Sequence, residues 1–403
     1  MCLYHFASRV AVAVSLLAGA SAFAAGVAAV DDIQKCKSLD RYHDAMAAFY
    51  ACDKALNQEN LPETKRAELL LARGEAAYFA GRVDMSLIDL DLALTLNPKL
   101  KAAYYRRAWA RMRTNHFPDA MQDLTFVLSE EPENVDALYA IGYFYQDTSE
   151  WKSKAMPALK RVLELDPNHH LARLSLASLY TNQTRDFDAA LMEFDKMLSA
   201  SDEALRNVRI FRDPVRPYFD FRDRVRNDRI AALIGKADYV AALAEADSLV
   251  ARYPGIGDSY VTRAHVYERL RKFTEALADA RMASKFEPNG DDQKALEIEA
   301  LYQLQRYNDA LTRANEMLNQ PISLATMPKI LFWRAYTKKQ LHLHEEALQD
   351  FEQSFSFKSW QLSAVLTQLR QSGYYDGNVM DPYSEKARNG LQACILDPEC
   401  AKR

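Results

Sequence analysis

Five prolines divide the chain like marks on a ruler. Asn97-Pro98, Glu131-Pro132, Asp166-Pro167, Tyr253-Pro254 and Glu287-Pro288 are spaced by 34, 35, 87 and 34 residues, and 87 is two 34-residue periods plus 19. Twelve residues before each proline stands a small residue followed by an apolar one: Ser86-Leu87, Ala120-Met121, Ala155-Met156, Ala242-Leu243 and Ala276-Leu277. The pair recurs at Ala190-Leu191, Ala310-Leu311 and Ala347-Leu348. A third marker lies twelve residues earlier again, at Arg73-Gly74, Arg107-Ala108, Arg263-Ala264 and Arg334-Ala335. A unit of this length cannot bury a core alone, so copies of it must stack. Proline ends a helix, because it donates no amide hydrogen and clashes with the preceding turn. The small residues mark places where two helices cross too closely for larger side chains. The unit these markers describe is a helix hairpin. With only 12 Gly among 403 residues, turn-hungry sheet folds are disfavoured.

In this phasing the chain resembles the tetratricopeptide repeat family. The unit from Gly257 to Pro288 carries Ala264, Ala276, Ala283 and Pro288 at the family's eighth, twentieth, twenty-seventh and thirty-second places, with Tyr260 and Tyr267 at aromatic ones. The resemblance runs from about Ile33 to Ser359, with eight repeats after Leu61 and a hairpin before them. It implies an all-α fold, a right-handed superhelical solenoid of helix hairpins closed by a small helical C-terminal cap. The divisions expected are 1–24, a leader; 25–60, an N-terminal hairpin; 61–201 and 223–359, the two halves of the array; 202–222, an irregular insertion; and 360–403, the cap.

The resemblance also implies a partner-binding groove built from the first helix of each repeat. Projected onto this chain, its places fall on Leu71, Glu75, Tyr78, Tyr105, Trp109, Arg113, Tyr139 and Tyr143, and farther on at Val261, His265, Arg269, Phe332, Tyr336 and Lys339. Tyr, Trp and Arg are the types that dominate binding hot spots. The alternative is that several of these aromatics are ordinary core, since helical spacing alone does not separate the faces. Co-chaperone members of the family hold a C-terminal carboxylate with Lys and Asn at places five and nine. Here those places carry Leu71 and Glu75, then Tyr105 and Trp109, so that clamp is absent.

The insertion is the array's one break. Pro214 and Pro217 interrupt any helix, and eight Arg stand against four Asp between Arg206 and Arg229. One reading is an anion-binding site at Arg206, Arg209, Arg212 and Arg216. Interleaved signs favour the other, in which arginines pair with those aspartates and cap neighbouring helices.

The start of the chain reads as an export signal. Arg9 is followed by the uncharged run Val10–Val30, with an apolar core at Val10–Ala18 and small residues at Ala22 and Ala24. Cleavage is expected near Ala24, leaving no stable membrane insertion; the rival reading is an uncleaved anchor. Four cysteines then remain, as close pairs at opposite ends: Cys36 with Cys52, and Cys394 with Cys400. In an extended array distant pairs cannot meet, so these are the expected disulfides, and a periplasm would keep them closed. Beyond Trp360, the Leu366, Leu369 and Gly373-Tyr374-Tyr375-Asp376-Gly377 pattern resembles a small peptidoglycan-binding module. The alternative is a cap over the last apolar face.

A net charge of −4 argues against a nucleic-acid partner. No Gly-rich phosphate loop, His-Glu-x-x-His or Gly-x-Ser-x-Gly occurs, and His342 and His344 diverge on a turn. The expectation is a non-enzymatic periplasmic scaffold with no cofactor and no metal, binding envelope proteins or peptide segments. A peptidoglycan binder is the alternative.

Overall fold

The structure, a computed structural model, describes residues 32–36, 38–40, 44–206, 208, 220–287, 292–320, 322–324, 326–356, 366–367, 369–377 and 385–397. The expected leader, Cys400 and the elbow residues Arg209, Arg212 and Arg216 lie outside them, and Arg206 is described only as the end of the short helix Asp202–Arg206. Among the described residues every regular element is helical. The chain divides into two compact units, 1–179 and 180–403.

In the first unit α1 (Ala45–Leu56) precedes the hairpins α2–α3 (Glu63–Phe79, Val83–Leu96) and α4–α5 (Lys101–Arg113, Phe117–Glu130). Next come α6 (Val135–Tyr145) with α7 (Met156–Leu165), and then α8 (His170–Leu179). The interval from Gly142 to Ala155 is 13 residues, one longer than the twelve of the Arg-marked hairpins, and a π-helical turn at Trp151–Ala155 absorbs it; Ala177 to Ala190 is lengthened likewise, with such a turn at Tyr180–Thr184. The second unit holds α9 (Phe187–Leu198), the hairpins α10–α11 (Phe221–Gly235, Tyr239–Arg252), α12–α13 (Gly257–Arg269, Phe273–Phe286), α14–α15 (Asp292–Gln303, Tyr307–Leu318) and α16–α17 (Met327–Gln340, His344–Ser356), and α18 (Glu385–Leu396).

The small-residue markers sit where the helices of a hairpin touch. Ala108, Ala120, Ala264, Ala276, Ala335 and Ala347 are all buried. A Cβ on Gly74 would meet Leu90 Cγ at 3.1 Å, and one on Gly142 would meet Leu159 at 2.6 Å, so a larger residue at either place would push the helices apart. Six turns between paired helices close on a left-handed residue, Gly81, Asn115, Ala237, Arg271, Gln305 or His342, with φ between 58° and 78°, whereas the α6–α7 turn has none. The amide beyond it bonds back across the turn, as in Lys272 to Tyr267 O at 2.8 Å and Asp238 to Leu233 O at 2.9 Å. Only one of these residues is glycine, so the other turns carry a backbone cost that hairpin packing must offset.

The arginine marker has a partner of its own. Arg73, Arg107, Arg263 and Arg334 each direct Nε and Nη2 at the carboxylate sixteen residues on, in the second helix of the hairpin. Those acceptors, Asp89, Asp123, Asp279 and Asp350, are all buried, and the bonds measure 2.5–3.0 Å. Nη1 of the same arginines turns to the preceding hairpin, to Asp53, Asp91, Asp247 and Asn315. Arg229 joins the corresponding pair with its donors exchanged, Nη1 to Glu245 sixteen residues on and Nε to Asp195 of the preceding helix. One rung is inverted. Glu297 holds the arginine's place and accepts from Arg313, sixteen residues on, at 2.9 Å and from Arg281 of the preceding hairpin at 3.1 Å. A bidentate, hydrogen-bonded partner is what makes so buried a carboxylate tolerable.

Both ends are covered. Cys36 and Cys52 form a disulfide with Cα atoms 4.6 Å apart, so the stagger of the N-terminal helices does bring the pair together. Cys394 is disulfide-bonded as well. Leu366, Leu369, Tyr375, Ala387, Leu391 and Ile395 form one core with Ala335, Ala347 and Phe351, so the tail closes the last hairpin. In the Arg-rich run, Arg222 caps α9 through Leu198 O and Ala200 O, while Arg224 pairs with Asp228 and Arg226 with Asp223. The described arginines of that run are occupied by helix capping and ion pairing.

Candidate functional site

First helices of successive hairpins lie side by side within each unit, and the ladder holds their other face against the second helices. The free face therefore collects residues from three consecutive helices.

In the first unit this face is aromatic. Trp109 of α4 is the hub, 6.3 Å between ring centroids from Tyr105, 6.2 Å from Tyr139, 5.2 Å from Tyr143 and 4.7 Å from Phe144. Tyr139 continues the series to His169 at 4.9 Å. The packing buries Tyr78, Trp109 and Tyr139 almost completely, whereas Tyr143 keeps 42% of its surface exposed. Leu71 is half-buried. Glu75 is ion-paired with Arg106, whose guanidinium also lies 5.2 Å from the Tyr105 ring centre. Arg113 is exposed, 5.1 Å over the ring of Tyr78, with Nη1 donating to the Tyr78 carbonyl at 3.3 Å. Burial pushes the Tyr78 phenol up to about 12, partly countered by Arg113, and raises Tyr105 and Tyr139 as well. All three phenols therefore stay neutral donors at physiological pH. Burial also lowers His169, favouring the neutral ring.

The second unit presents different chemistry on the corresponding face. His265 Nδ1 lies 3.1 Å from Glu268 Oε2, and Glu268 Oε1 is buried with no hydrogen-bond partner among the described residues. Glu299 of α14 is pushed up to about 8, chiefly by burial and then by the Glu268 charge, against Arg269 and a hydrogen bond from Trp333. Tyr302 lies beside Trp333, Tyr336 and Gln340, whose Nε2 donates to its hydroxyl at 3.3 Å. Val261 is buried, and Arg269 is exposed. Phe332 and Tyr336 pack against the C-terminal core. Lys339 is buried, donates to Cys394 O at 2.8 Å and is lowered by that burial, so it secures the tail.

Sequence reasoning reached His265 and Arg269 but missed Glu268, Glu299, Tyr302 and Arg106. Glu299 occupies the same place in its hairpin as His265, and Tyr302 the same as Glu268. The 34-residue phase alone would have found both had their hairpin not lacked the arginine marker. Among the described residues no group of three or more His, Cys, Asp or Glu is arranged to hold a metal ion.

Comparison with known proteins agrees on the fold. Residues 135–169 match the tetratricopeptide repeat family model. The DnaJ homolog subfamily C member 7 homolog of Dictyostelium discoideum is 31% identical over 88 residues, 22% of this chain and 16% of that protein, so the chain spans a small part of the relative it matches. Among solved structures, the Cut9 and Hcn1 hetero-tetramer of the APC/C superposes with a TM-score of 0.50 at 13% identity, covering 91% of this chain and 62% of the other. A tetratricopeptide repeat protein from Parabacteroides merdae gives 0.49 at 19% identity, covering 68% of this chain and 98% of that one. The all-α array of tetratricopeptide-type hairpins is thus supported by its own geometry, by a family match and by structural likeness.

Proposed function

We propose that this protein is a non-enzymatic adaptor of the bacterial periplasm that binds peptide segments of envelope proteins along its first-helix faces. One observation carries the reading: the ladder and the small-residue contacts hold each hairpin from behind, leaving side chains from three consecutive helices aligned on one face. Tetratricopeptide-type hairpins are interaction modules, and large aromatic and Arg side chains suit a protein partner. The Cys36–Cys52 disulfide suits an oxidising compartment, as does the leader expected from the sequence. The peptidoglycan reading has no observation behind it, because the tail's apolar residues are used in closing the last hairpin.

Two measurements test this. Fusing residues 1–40 to alkaline phosphatase, which is active only after export, should give an active reporter; an inactive fusion would remove the periplasmic part. Binding of the purified chain to an array of envelope-protein peptides should fall in Tyr143→Ala and in the His265→Ala/Arg269→Gln double variant. Binding that survives both would move the interaction off these faces.

A further inference from the structure

We infer that the first-helix face of the N-terminal unit selects peptides carrying an acidic side chain beside an aromatic or aliphatic one, with Arg113 receiving the carboxylate. This rests on the adaptor reading and narrows it to one class of partner. The cations of the two faces differ in how far they are already engaged. Arg106 is committed to Glu75, Arg269 lies beside Glu299, and Lys339 is bonded to the tail. Neither Arg113 nor Arg269 has a carboxylate within ion-pair distance among the described residues, but Arg269 neighbours the Glu268 and Glu299 carboxyls, whereas Arg113 meets the carbonyl, hydroxyl and ring of Tyr78. A guanidinium carries five donors in a planar fork shaped for a carboxylate, and the Tyr78 carbonyl and hydroxyl together leave most of them over.

The surroundings suit the same ligand. Tyr78 comes from α2, Arg113 from α4 and Tyr143 from α6, and the Tyr78 phenol feels both of the others. Its raised value keeps that hydroxyl protonated and able to donate. Tyr143, 42% exposed, offers a ring on which the neighbouring side chain of the peptide can lie. The carboxylates of Glu75 and exposed Asp136 share this unit's face, so a dianionic group is disfavoured against a single carboxylate. Arg113 lies at the C-terminal end of α4, one turn beyond the places five and nine that the co-chaperone clamp uses, and Tyr143 takes the ninth place of the next hairpin.

The test uses acetylated, amidated 12-residue peptides that set one Glu within three residues of Phe or Leu. Matched series carry Gln or phosphoserine at the Glu position, or a free C-terminal carboxylate in place of the internal one. Fluorescence anisotropy with the purified chain should show the Glu series bound about ten-fold more tightly than the Gln series, the size expected for one charge-assisted pair. Arg113→Gln should erase that preference while leaving the Gln series unchanged, and Arg306→Gln, an exposed control just before α15, should leave both unchanged. Circular dichroism of each variant should match the parent, since both arginines are exposed. Equal binding of Glu and Gln peptides, a preference that survives Arg113→Gln, or tighter binding of the phosphoserine or C-terminal series would overturn the assignment and leave the adaptor reading standing. Failure of every series to bind, with envelope-peptide binding also absent, would remove both.

Discussion

The inverted rung at Glu297 offers the sharpest test of what holds the hairpins together. Its side chain is only 7% exposed, between Arg313 at 33% and Arg281 at 53%. Glu297→Arg would gather three guanidinium groups where two now share one carboxylate. At an effective dielectric of about 20, two like charges about 4 Å apart repel by roughly 4 kcal/mol. Both flanking arginines reach solvent and can swing outward, so the realised cost falls toward about 3 kcal/mol, the lower end for a broken buried pair. Adding Arg281→Asp and Arg313→Asp rebuilds the arrangement that Arg263 makes with Asp247 and Asp279. The triple variant should recover to within about 1 kcal/mol of the parent. A stacked array need not unfold in one step, so the readout is native-state hydrogen exchange of the α14 and α15 amides. The reasoning is refuted if the single variant leaves protection unchanged, or if the triple variant is no better protected than the single.

Three further outcomes are expected at particular residues. Ala237, at φ 65°, should gain about 1 kcal/mol on substitution by Gly, read as a higher thermal midpoint for the second unit; no gain would show that the turn's strain is already relieved. Reducing Cys36–Cys52, which closes a loop of 16 residues, should lower the protection of α1 and α2 by about 2–3 kcal/mol while sparing α5 and α6; uniform loss would contradict a local clip. Glu299, raised to about 8 from an ordinary 4.5, lends stability through its protonated form, fully present below about pH 4.5 and lost as pH rises through about 8. Glu299→Gln should therefore match the parent near pH 4.5 and exceed it by a few kcal/mol, at most about 5, near pH 9. Parallel pH profiles of the two proteins would refute the assignment.

The hairpins were legible because close helix crossing leaves few choices at the crossing point, and Ala108, Ala120, Ala264 and Ala276 report that constraint directly. The arginine markers were visible too, but not their purpose. Asp89 or Asp279 looks like any solvent-facing acid until the second helix brings it sixteen residues back beside its arginine. The inverted rung hid a whole hairpin from the projection, taking Glu299 and Tyr302 with it, because Glu297 broke the marker while preserving the interaction. Exposure was the least legible property. Trp109 and Tyr143 occupy the same place in consecutive hairpins, yet Trp109 is 4% exposed and Tyr143 is 42%. The difference lies in the adjoining first helix. Tyr139, Tyr143 and Phe144 cover Trp109, whereas the helix beyond Tyr143 offers only Ser178 at that place. A single repeat's pattern does not contain its neighbour's side chain.

This dependence on neighbours explains how one scaffold carries two chemistries. The pairing arginines and the small residues face the second helix, so stability is set on one side of each first helix and the opposite side is released from it. Released places then diverge. The first unit filled them with Tyr105, Trp109 and Tyr139, which bury one another and leave Tyr143 and Arg113 at the surface. The second unit set Glu268 beside Glu299, where burial and like charge make full ionisation costly. The first unit's buried aromatics join their helices, but the second unit's carboxyl pair does no such work: Glu268 Oε1 and Glu299 carry the cost of buried carboxyl groups without a buried ion pair to offset it. Side chains that a fold does not need, kept where they cost stability, are most simply understood as the ones that meet something else.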